Sequence, residues 1–413
     1  MTYWFGSLPH GWEAIKLKYL VNLRQDEPDK KSNYIGLEHI EQGTGNICGR
    51  AEHPIDGNAI QFNVNDVLFG KLRPYLRKVW IADFNGCASK EILVMQPLKI
   101  NAAFLFFVLL SHDFIELVNG STFGAKMPRS DWSFIGNQFI PVPPKKIQER
   151  IANNLKLRLG ICNQFILENQ DKLNRLSEYR QSLITQAVTK GLDPNVEMKD
   201  SDKPMLKSYP KHWQISKISR VCTVQTGKTP SGLSEKSFTE DKNSVHWVTP
   251  GDFSDDGIYR GCARRLSEEA EKEVPVYSAH SVLFVGIGAS IGKVMYSAVP
   301  VSSNQQINGI SCGSKLLPQF LMYFLTARCE ITRETAPQST LPILNQTKTG
   351  EIYIPIPPMS EQKAIVGYVD SILNKLYNTD KRIAETLVKL YEYRSSLITA
   401  AVTGKIDISE VNQ

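Results

Sequence analysis

The sequence is poor in cysteine, and its cysteines form no metal-binding or disulfide pattern. The seven cysteines are odd in number, and no two of them form a Cys-x-x-Cys pair. The seven histidines include no His-Glu-x-x-His pair. These absences disfavour a zinc site and a disulfide-rich scaffold, so we expect reduced structural thiols and no metal in this chain.

Long hydrophobic runs are also absent. The longest, Ala102 to Leu110, has nine residues, whereas a helix that spans a bilayer needs about 20. The first residues, Met-Thr-Tyr-Trp-Phe, lack the basic and apolar regions of a secretory signal. We therefore expect a cytoplasmic protein with no membrane partner.

The chain does have enough apolar residues for more than one core. Of its 413 residues, 42% are hydrophobic and 22% are charged, which is typical of a globular protein, and the length suggests two or three domains. The formal net charge is +6. This mild basic excess permits nucleic-acid binding but does not require it.

An internal repeat organises the sequence. Ile-Pro-Val-Pro-Pro at 140–144 recurs as Ile-Pro-Ile-Pro-Pro at 354–358, and Glu-Tyr-Arg-Gln-Ser-Leu-Ile-Thr at 178–185 recurs as Glu-Tyr-Arg-Ser-Ser-Leu-Ile-Thr at 392–399, both 214 positions later. Weaker matches lie upstream, where Val67-Leu-Phe aligns with Val282-Leu-Phe at an offset of 215. We expect two copies of one body plan.

Each copy is predicted to be a mixed α/β domain followed by a long helix. The predicted segments are a first domain at 1–143, a spacer helix at 144–192, a linker at 193–203, a second domain at 204–357 and a second spacer helix at 358–405. Short apolar runs predict strands at 64–69, 78–81, 92–95, 139–142, 281–285, 293–296 and 352–356, and buried helices at 104–110 and 320–325. The fold class is α/β (α+β) with a pseudo-twofold repeat.

Both helical stretches carry apolar residues at steps of three and four, which indicates one continuous apolar seam. The predicted seam residues are Ile151, Leu155, Leu159, Ile166, Asn169, Leu173, Leu176 and Leu183, then Ile365, Val369, Leu373, Leu376, Asp380, Ile383, Leu387, Leu390 and Leu397. A long seam needs a long partner, so we predict that the two helices form an antiparallel coiled coil separating the domains. Asn169 would then lie near Asp380, either as a polar layer or with both side chains at the seam edge.

The segment from Gly286 to Lys293 resembles catalytic loops but completes none of them. Its Gly-x-Ser-x-Gly around Ser290 fits a nucleophile elbow, yet that fold places a histidine after the serine, and no histidine follows His280. A phosphate-binding loop would need glycine in place of Ile287. We interpret the segment as a glycine-rich loop between two strands, and the chain as non-catalytic.

The repeat places two chemically different loops at equivalent positions: residues 71–78 are basic and aromatic, whereas 286–293 are glycine-rich. Lysine and arginine contact phosphates, arginine reads guanine, and Asn or Gln pairs with adenine. The predicted DNA-binding residues are Lys71, Arg73, Tyr75, Arg77, Lys78, Lys90, Lys126 and Arg129 in the first domain, and Lys293, Asn304, Gln305 and Gln306 in the second. A solvated basic turn and an ordinary polar loop stay open as alternatives.

Four features together resemble the specificity subunits of type I restriction–modification systems. They are Pro-His-Gly-Trp at 9–12 with Pro-Lys-His-Trp at 210–213, the doubled Ile-Pro-Val/Ile-Pro-Pro, Glu-Gln-Lys-Ala-Ile at 361–365, and the paired Tyr-Arg-x-Ser-Leu-Ile-Thr helix ends. The first copy departs from the pattern, because Ile147 stands where the second copy has Glu361. The resemblance implies two target-recognition domains, each reading one half of a bipartite double-stranded DNA target, with the helix pair as a ruler.

The resemblance also implies partners. Two modification (methyltransferase) subunits would bring S-adenosylmethionine and methylate adenine, while restriction (translocase/endonuclease) subunits would bring ATP-driven translocation and cleavage with magnesium. The chain itself would then carry no cofactor. A coiled-coil scaffold with two protein-binding heads is the alternative, and steeply salt-dependent duplex binding would separate the two.

Overall fold

The structure is a computed structural model that describes residues 3–28, 33–52, 59–122, 124, 127–203, 206–254, 257–329 and 343–407. The chain divides into two compact units, Met1–Asp171 with Ile383–Gln413, and Lys172–Arg382. This division differs from the predicted segments, because it falls inside both long helices. Each unit therefore holds one α/β domain together with a part of each helix.

The first unit contains three sheets around short helices. Its strands are β1 Glu13–Lys16, β2 Val21–Arg24, β3 Tyr34–Ile35, β4 Ile60–Phe62, β5 Val67–Gly70, β6 Val79–Ile81, β7 Gly86–Ala88, β8 Ile92–Pro97 and β9 Phe139–Val142. Its helices are α1 Ala102–Leu110, α2 His112–Gly120, α3 Trp132–Ile135 and the beginning of α4 Lys145–Lys190. The sheets have the strand orders β2-β8-β5-β6, β3-β7-β4 and β1-β9.

The second unit repeats this plan and adds a hairpin. Its strands are β10 Met198–Lys203, β11 Leu206–Pro210, β12 Gln214–Lys217, β13 Cys222–Thr226, β14 His246–Val248, β15 Val276–Tyr277, β16 Ser281–Val285, β17 Val294–Ser297, β18 Val301–Ser303, β19 Ile307–Cys312 and β20 Tyr353–Ile356. Its helices are α5 Ile218–Val221, α6 Glu268–Glu271, α7 Pro318–Ala327, α8 Gln346–Gly350 and the beginning of α9 Met359–Val402. The sheets have the orders β13-β19-β16-β17, β14-β18-β15, β12-β20 and β10-β11.

The sheet topology confirms the internal repeat. The four-stranded, three-stranded and two-stranded sheets of the first unit recur in the second with each strand in the equivalent place. Even strand direction repeats, because β3 and β14 pair in parallel with β7 and β18, whereas β4 and β15 pair with the same strands antiparallel. The fold class predicted from the sequence is therefore correct, although the amino-acid sequences of the two domains have diverged.

Each unit packs the beginning of one long helix against the end of the other. In the first unit Ile151 and Leu155 of α4 share a buried cluster with Leu397 of α9. In the second unit Ile184, near the end of α4, shares a buried cluster with Ile365, near the start of α9. The helix segments inside each unit are therefore antiparallel, as the sequence predicts.

The predicted apolar seam residues are all buried or half-buried. The predicted proximity of Asn169 and Asp380 stays a prediction, and each of these two side chains has a partner within its own unit. Asn169 Nδ2 donates to the Phe165 carbonyl of its own helix (2.8 Å), and Asp380 accepts a charge-assisted hydrogen bond from Arg180. A guanidinium neutralises a carboxylate, and both Asn169 and Asp380 are half-buried.

The predicted linker at 193–203 is partly wrong, because its second half forms β10. Met198 of β10 lies opposite Pro210 of β11, and Lys199 lies opposite Tyr209. The sequence conceals this strand because β10 is polar and mostly exposed, which leaves no alternation of apolar and polar residues to recognise.

The predicted strands and buried helices form close to their expected positions. The Asn101 side chain caps α1 by accepting from the Phe104 amide (3.0 Å), and α1 is buried from Phe104 to Leu110. Within the described part of the chain no single helix is long and apolar enough to cross a membrane. Only α1 and α2 together pass that test, across a bend of 63°.

Candidate nucleic-acid interface

The two predicted recognition loops occupy the same place in the repeated fold. Lys71 follows β5 and Gly286 follows β16, and each backbone N–H donates to a carbonyl in the segment before β8 or β19: Lys71 to Glu91 (3.0 Å) and Gly286 to Gln306 (2.8 Å). Isolated bridges repeat as well, joining Leu72 to Arg129 and Ile287 to Ile343. The same backbone frame therefore presents a basic loop in one copy and a glycine-rich loop in the other.

The glycine-rich segment is a loop between two strands, as interpreted from the sequence. Strands β16 and β17 that flank it pair antiparallel. Gly288 and Gly292 have φ values of +93° and +86°, which glycine adopts readily. Ser290 therefore lies between two strands and not in the strand-to-helix turn of a nucleophile elbow.

The basic loop contains one turn of 3-10 helix, Pro74–Leu76, held between two left-handed residues. Arg73 and Arg77 have φ values of +51° and +49°, an unfavourable conformation for residues other than glycine. Pro74 is buried and anchors the turn, while Arg73 is exposed and Tyr75 is 45% exposed. The turn thus directs a cation and an aromatic ring to solvent.

The other predicted residues of the first domain differ in availability. Lys71 is half-buried and Lys90 is exposed. Arg129 is also exposed but forms an ion pair with Glu91 (2.5 Å). Lys126 lies outside the described residues.

Two of the predicted DNA-binding side chains have hydrogen-bond partners within the protein. Lys78 Nζ donates to the Leu37 carbonyl (2.6 Å). The Arg77 guanidinium donates to Ser395 Oγ (3.3 Å) and contacts His112 Nδ1 (2.9 Å). Arg77 and Lys78 stay predicted DNA contacts, but forming a DNA contact would first break these hydrogen bonds.

The predicted amides of the second domain are also only partly free. Asn304 Nδ2 donates to Gln306 Oε1 (2.9 Å), so these two side chains shape their own loop. Gln305 is exposed and accepts from Thr229 Oγ1 (2.6 Å), and Lys293 is exposed. Gln305 and Lys293 are the predicted residues of this domain that the fold leaves available to a ligand.

A buried tyrosine supports the amide loop. The hydroxyl of Tyr277 contacts Ser303 Oγ (2.9 Å), immediately before Asn304. Burial raises the pKa of Tyr277 to about 12, so the hydroxyl stays neutral even in mildly alkaline solution. Tyr277 therefore holds Ser303, the residue from which the amide loop begins, in place.

Sequence reasoning missed two exposed lysines of the second domain. Lys228 is held by its backbone, whose N–H donates to the Ser303 carbonyl (2.9 Å) and whose carbonyl accepts from Trp247 Nε1 (3.3 Å). Lys348 lies on α8 next to Gln346, whose Oε1 accepts from the Thr226 amide (3.3 Å). Neither lysine belongs to a basic run. The backbone of Lys228 is bonded to Ser303, and α8, which carries Lys348, is bonded through its side chains to Thr226 and Asn308.

Two α/β domains of one topology, with different polar loops on the same frame and a shared pair of long helices, define a duplicated recognition protein. The family model described as type I restriction modification DNA specificity domain matches residues 9–175 and 210–389. The chain therefore belongs to this family.

Curated relatives agree with this assignment. The chain is 23% identical over 435 residues to the type I restriction enzyme MjaVIII specificity subunit of Methanocaldococcus jannaschii, covering 98% of this chain and 95% of that protein. It is 24% identical over 188 residues to the EcoDI specificity subunit of Escherichia coli, covering 44% and 42%. The match to EcoDI and the match to the MjaIX specificity subunit of M. jannaschii each span less than half of the relative's length.

Solved structures share the fold. A chain from a study of complex assembly and conformational transition of the type I R-M system superposes with a TM-score of 0.78 at 18% identity, covering 97% of this chain and all of that one. The HsdS subunit from Thermoanaerobacter tengcongensis gives a TM-score of 0.54 at 19% identity, covering 97% and 98%.

Proposed function

We propose that this chain is the non-catalytic specificity subunit of a type I restriction–modification complex and that its domains read two separate halves of a double-stranded DNA target. The observation that carries the proposal is the pair of equivalent loops with different chemistry on one backbone frame. A repeat that keeps its frame and changes its exposed side chains suits two readers of different sequences.

The exposed groups supply both kinds of DNA contact. In the first domain Arg73 and Lys90 can contact phosphates, and Arg73 can also read a guanine edge. In the second domain Lys228 and Lys293 offer phosphate contacts, and Gln305 offers an amide of the type that pairs with adenine. The two half-sites should therefore differ in sequence.

An exposed apolar stripe on α4 supports the docking of partner subunits. Leu157, Ile161 and Phe165 follow one another at steps of four, and they are 64%, 52% and 51% exposed. Side chains at this spacing lie on one face of a helix, and contiguous exposed apolar groups mark interaction surfaces. Two modification subunits with S-adenosylmethionine, and restriction subunits with ATP and magnesium, would assemble with the chain, which itself supplies no cofactor.

We further propose that the helices set the distance between the half-sites. Helix α4 has 46 residues and α9 has 44, which correspond to lengths of about 70 and 65 Å at ~1.5 Å per residue. Helices of this length are long enough to serve as the spacer.

The direct test is to map methylated sites in the host genome with and without this gene. A bipartite motif that disappears on deletion supports the proposal, and an unchanged methylation pattern contradicts it. The complex should also bind that duplex with an affinity that falls steeply with salt.

Single lysine variants sharpen the test. Lys90→Ala and Lys228→Ala should each reduce the slope of log K against log salt by about 0.9. Lys199→Ala, which removes an exposed charge of β10, is the matched control and should leave the slope unchanged. Salt-insensitive binding in every variant would favour the protein-binding scaffold.

A further inference from the structure

Arg77 ends the basic loop of the first domain and contacts two other elements of the same unit. Its guanidinium reaches Ser395 Oγ on α9 (3.3 Å) and His112 Nδ1 on α2 (2.9 Å). The planar guanidinium presents its donors in a rigid fork and holds two acceptors at fixed angles, whereas a lysine ammonium carries rotatable donors on a flexible stem. One side chain therefore joins the loop to the long helix α9 and to the short helix α2.

The backbone of Arg77 makes a second connection to α9. Its carbonyl accepts from the Gly43 amide (3.1 Å), and the Gly43 carbonyl in turn accepts from the Arg394 guanidinium. Arg394 and Ser395 are neighbours on α9, so two adjacent helix residues hold the same end of the loop. The left-handed conformation at Arg77 (φ +49°) needs such support, because it is unfavourable by itself.

In the second domain the long helix α4 contacts the end of α7, but the loop at 286–293 contributes no side chain to that contact. Gln181, which is 214 positions before Ser395, donates to the Ala327 carbonyl (3.4 Å) at the end of α7, the repeat equivalent of α1. The equivalent of Arg77 is Gly292, which has no side chain to join this contact. The asymmetry between the copies therefore lies in the loop and not in the helix.

We propose that Arg77 is a positioning residue of the first domain and does not itself contact DNA. By joining the 71–78 loop to α9 and α2, it holds the loop in the conformation that binds DNA. The inference rests on the proposed function for what the loop reads, but the contact can be tested without DNA.

Hydrogen exchange of the full chain tests the contact directly. The Arg73, Leu76 and Arg77 amides are hydrogen-bonded within or beside the loop. Arg77→Lys, which keeps the charge but loses the planar group, and Ser395→Ala should each speed their exchange by about tenfold, the factor that one to two net hydrogen bonds supply. Ser396→Ala removes an exposed neighbouring hydroxyl and should change nothing. Unchanged exchange in both Arg77→Lys and Ser395→Ala would overturn the proposal.

Salt dependence tests the absence of a DNA contact. In the complex on its mapped duplex, Arg77→Ala should weaken binding about tenfold while keeping the slope of log K against log salt, whereas Arg73→Ala should reduce the slope by about 0.9. A reduced slope in Arg77→Ala, together with full affinity in Arg77→Lys, would make Arg77 a phosphate contact and overturn the proposal. If the unmodified complex shows no salt dependence, the proposed function fails, and the exchange result still decides whether Arg77 holds the loop.

Discussion

Replacing Gln148 by methionine should loosen the first domain from its long helix. Gln148 is 2% exposed; its Oε1 accepts from the Asn101 amide (2.8 Å), and its Nε2 donates to the Pro143 carbonyl (2.8 Å). One side chain thus joins the start of α4 to the N-cap residue of α1. Gln362, at the equivalent position of the second copy, is fully buried and makes the same type of contact with the Leu317 amide (2.8 Å) at the start of α7.

The loss of stability in Gln148→Met can be worked out from the polar groups that the substitution leaves unpaired. Methionine has a similar length and an apolar end, so Gln148→Met leaves the N–H of half-buried Asn101 and the carbonyl of buried Pro143 without partners. Each such group costs about 1–3 kcal/mol, and a total near 3 kcal/mol should lower the melting temperature of a unit of about 200 residues by roughly 6–12 °C. Gln362→Met should lower the free energy of unfolding more than Gln148→Met does, because Gln362 Nε2 donates to two carbonyls, those of Pro357 (2.8 Å) and Lys315 (2.9 Å).

Calorimetry of the full chain measures this effect. Gln164→Met is the matched control on the same helix, because Gln164 is exposed and bonds only Glu168 (2.9 Å) among the contacts of the described chain. Its stability should stay within about 0.5 kcal/mol of the unmodified protein. The reasoning is refuted if Gln148→Met melts together with the control, or if Gln362→Met costs less than Gln148→Met.

Three further predictions follow from the repeat and from the burial of Tyr277. Exchanging residues 1–142 for those of another family member should change one half of the methylated motif, and a change in both halves would contradict independent reading. Deleting residues 168–174 and 381–387 should shorten the distance between the two DNA half-sites by about 10 Å, or roughly three base pairs. A methylated motif that keeps its original distance between the half-sites would contradict the ruler role. Because burial raises the pKa of Tyr277 from 10.0 to about 12, its contribution to stability is present below pH 10 and is lost as the pH rises through 12. Tyr277→Phe should reduce this alkaline loss in urea unfolding, and an equal loss in both proteins would contradict the assignment.

The repeat and the long helices could be predicted from the sequence because their signals are local or periodic. A seam at steps of three and four, such as Ile151 and Leu155, reflects which face of a helix avoids water, and that pattern is written along the chain. The nearly constant offset of 214 to 215 residues between the copies identified the two domains before any sheet was known. Gln148 and Gln362 are equivalent positions of the repeat, 214 residues apart. The sequence did not show that they are buried, because a polar residue near the start of a helix is usually exposed.

The candidate site depended on the tertiary structure, because hydrogen-bond partners lie far apart in sequence. Arg77 and Lys78 belong to a basic cluster when read along the chain, yet the fold gives them Ser395 and the Leu37 carbonyl as partners. Lys228 has no basic neighbours in sequence, yet strand pairing brings its loop beside Ser303. The sequence by itself determined the repeat, its equivalent loops, the long helices and apolar strands such as β5 and β16. Only the tertiary structure revealed the polar strand β10 and decided which polar side chains remain free to bind a ligand, because each donor and acceptor is satisfied by whatever the folded chain places within about 3 Å of it.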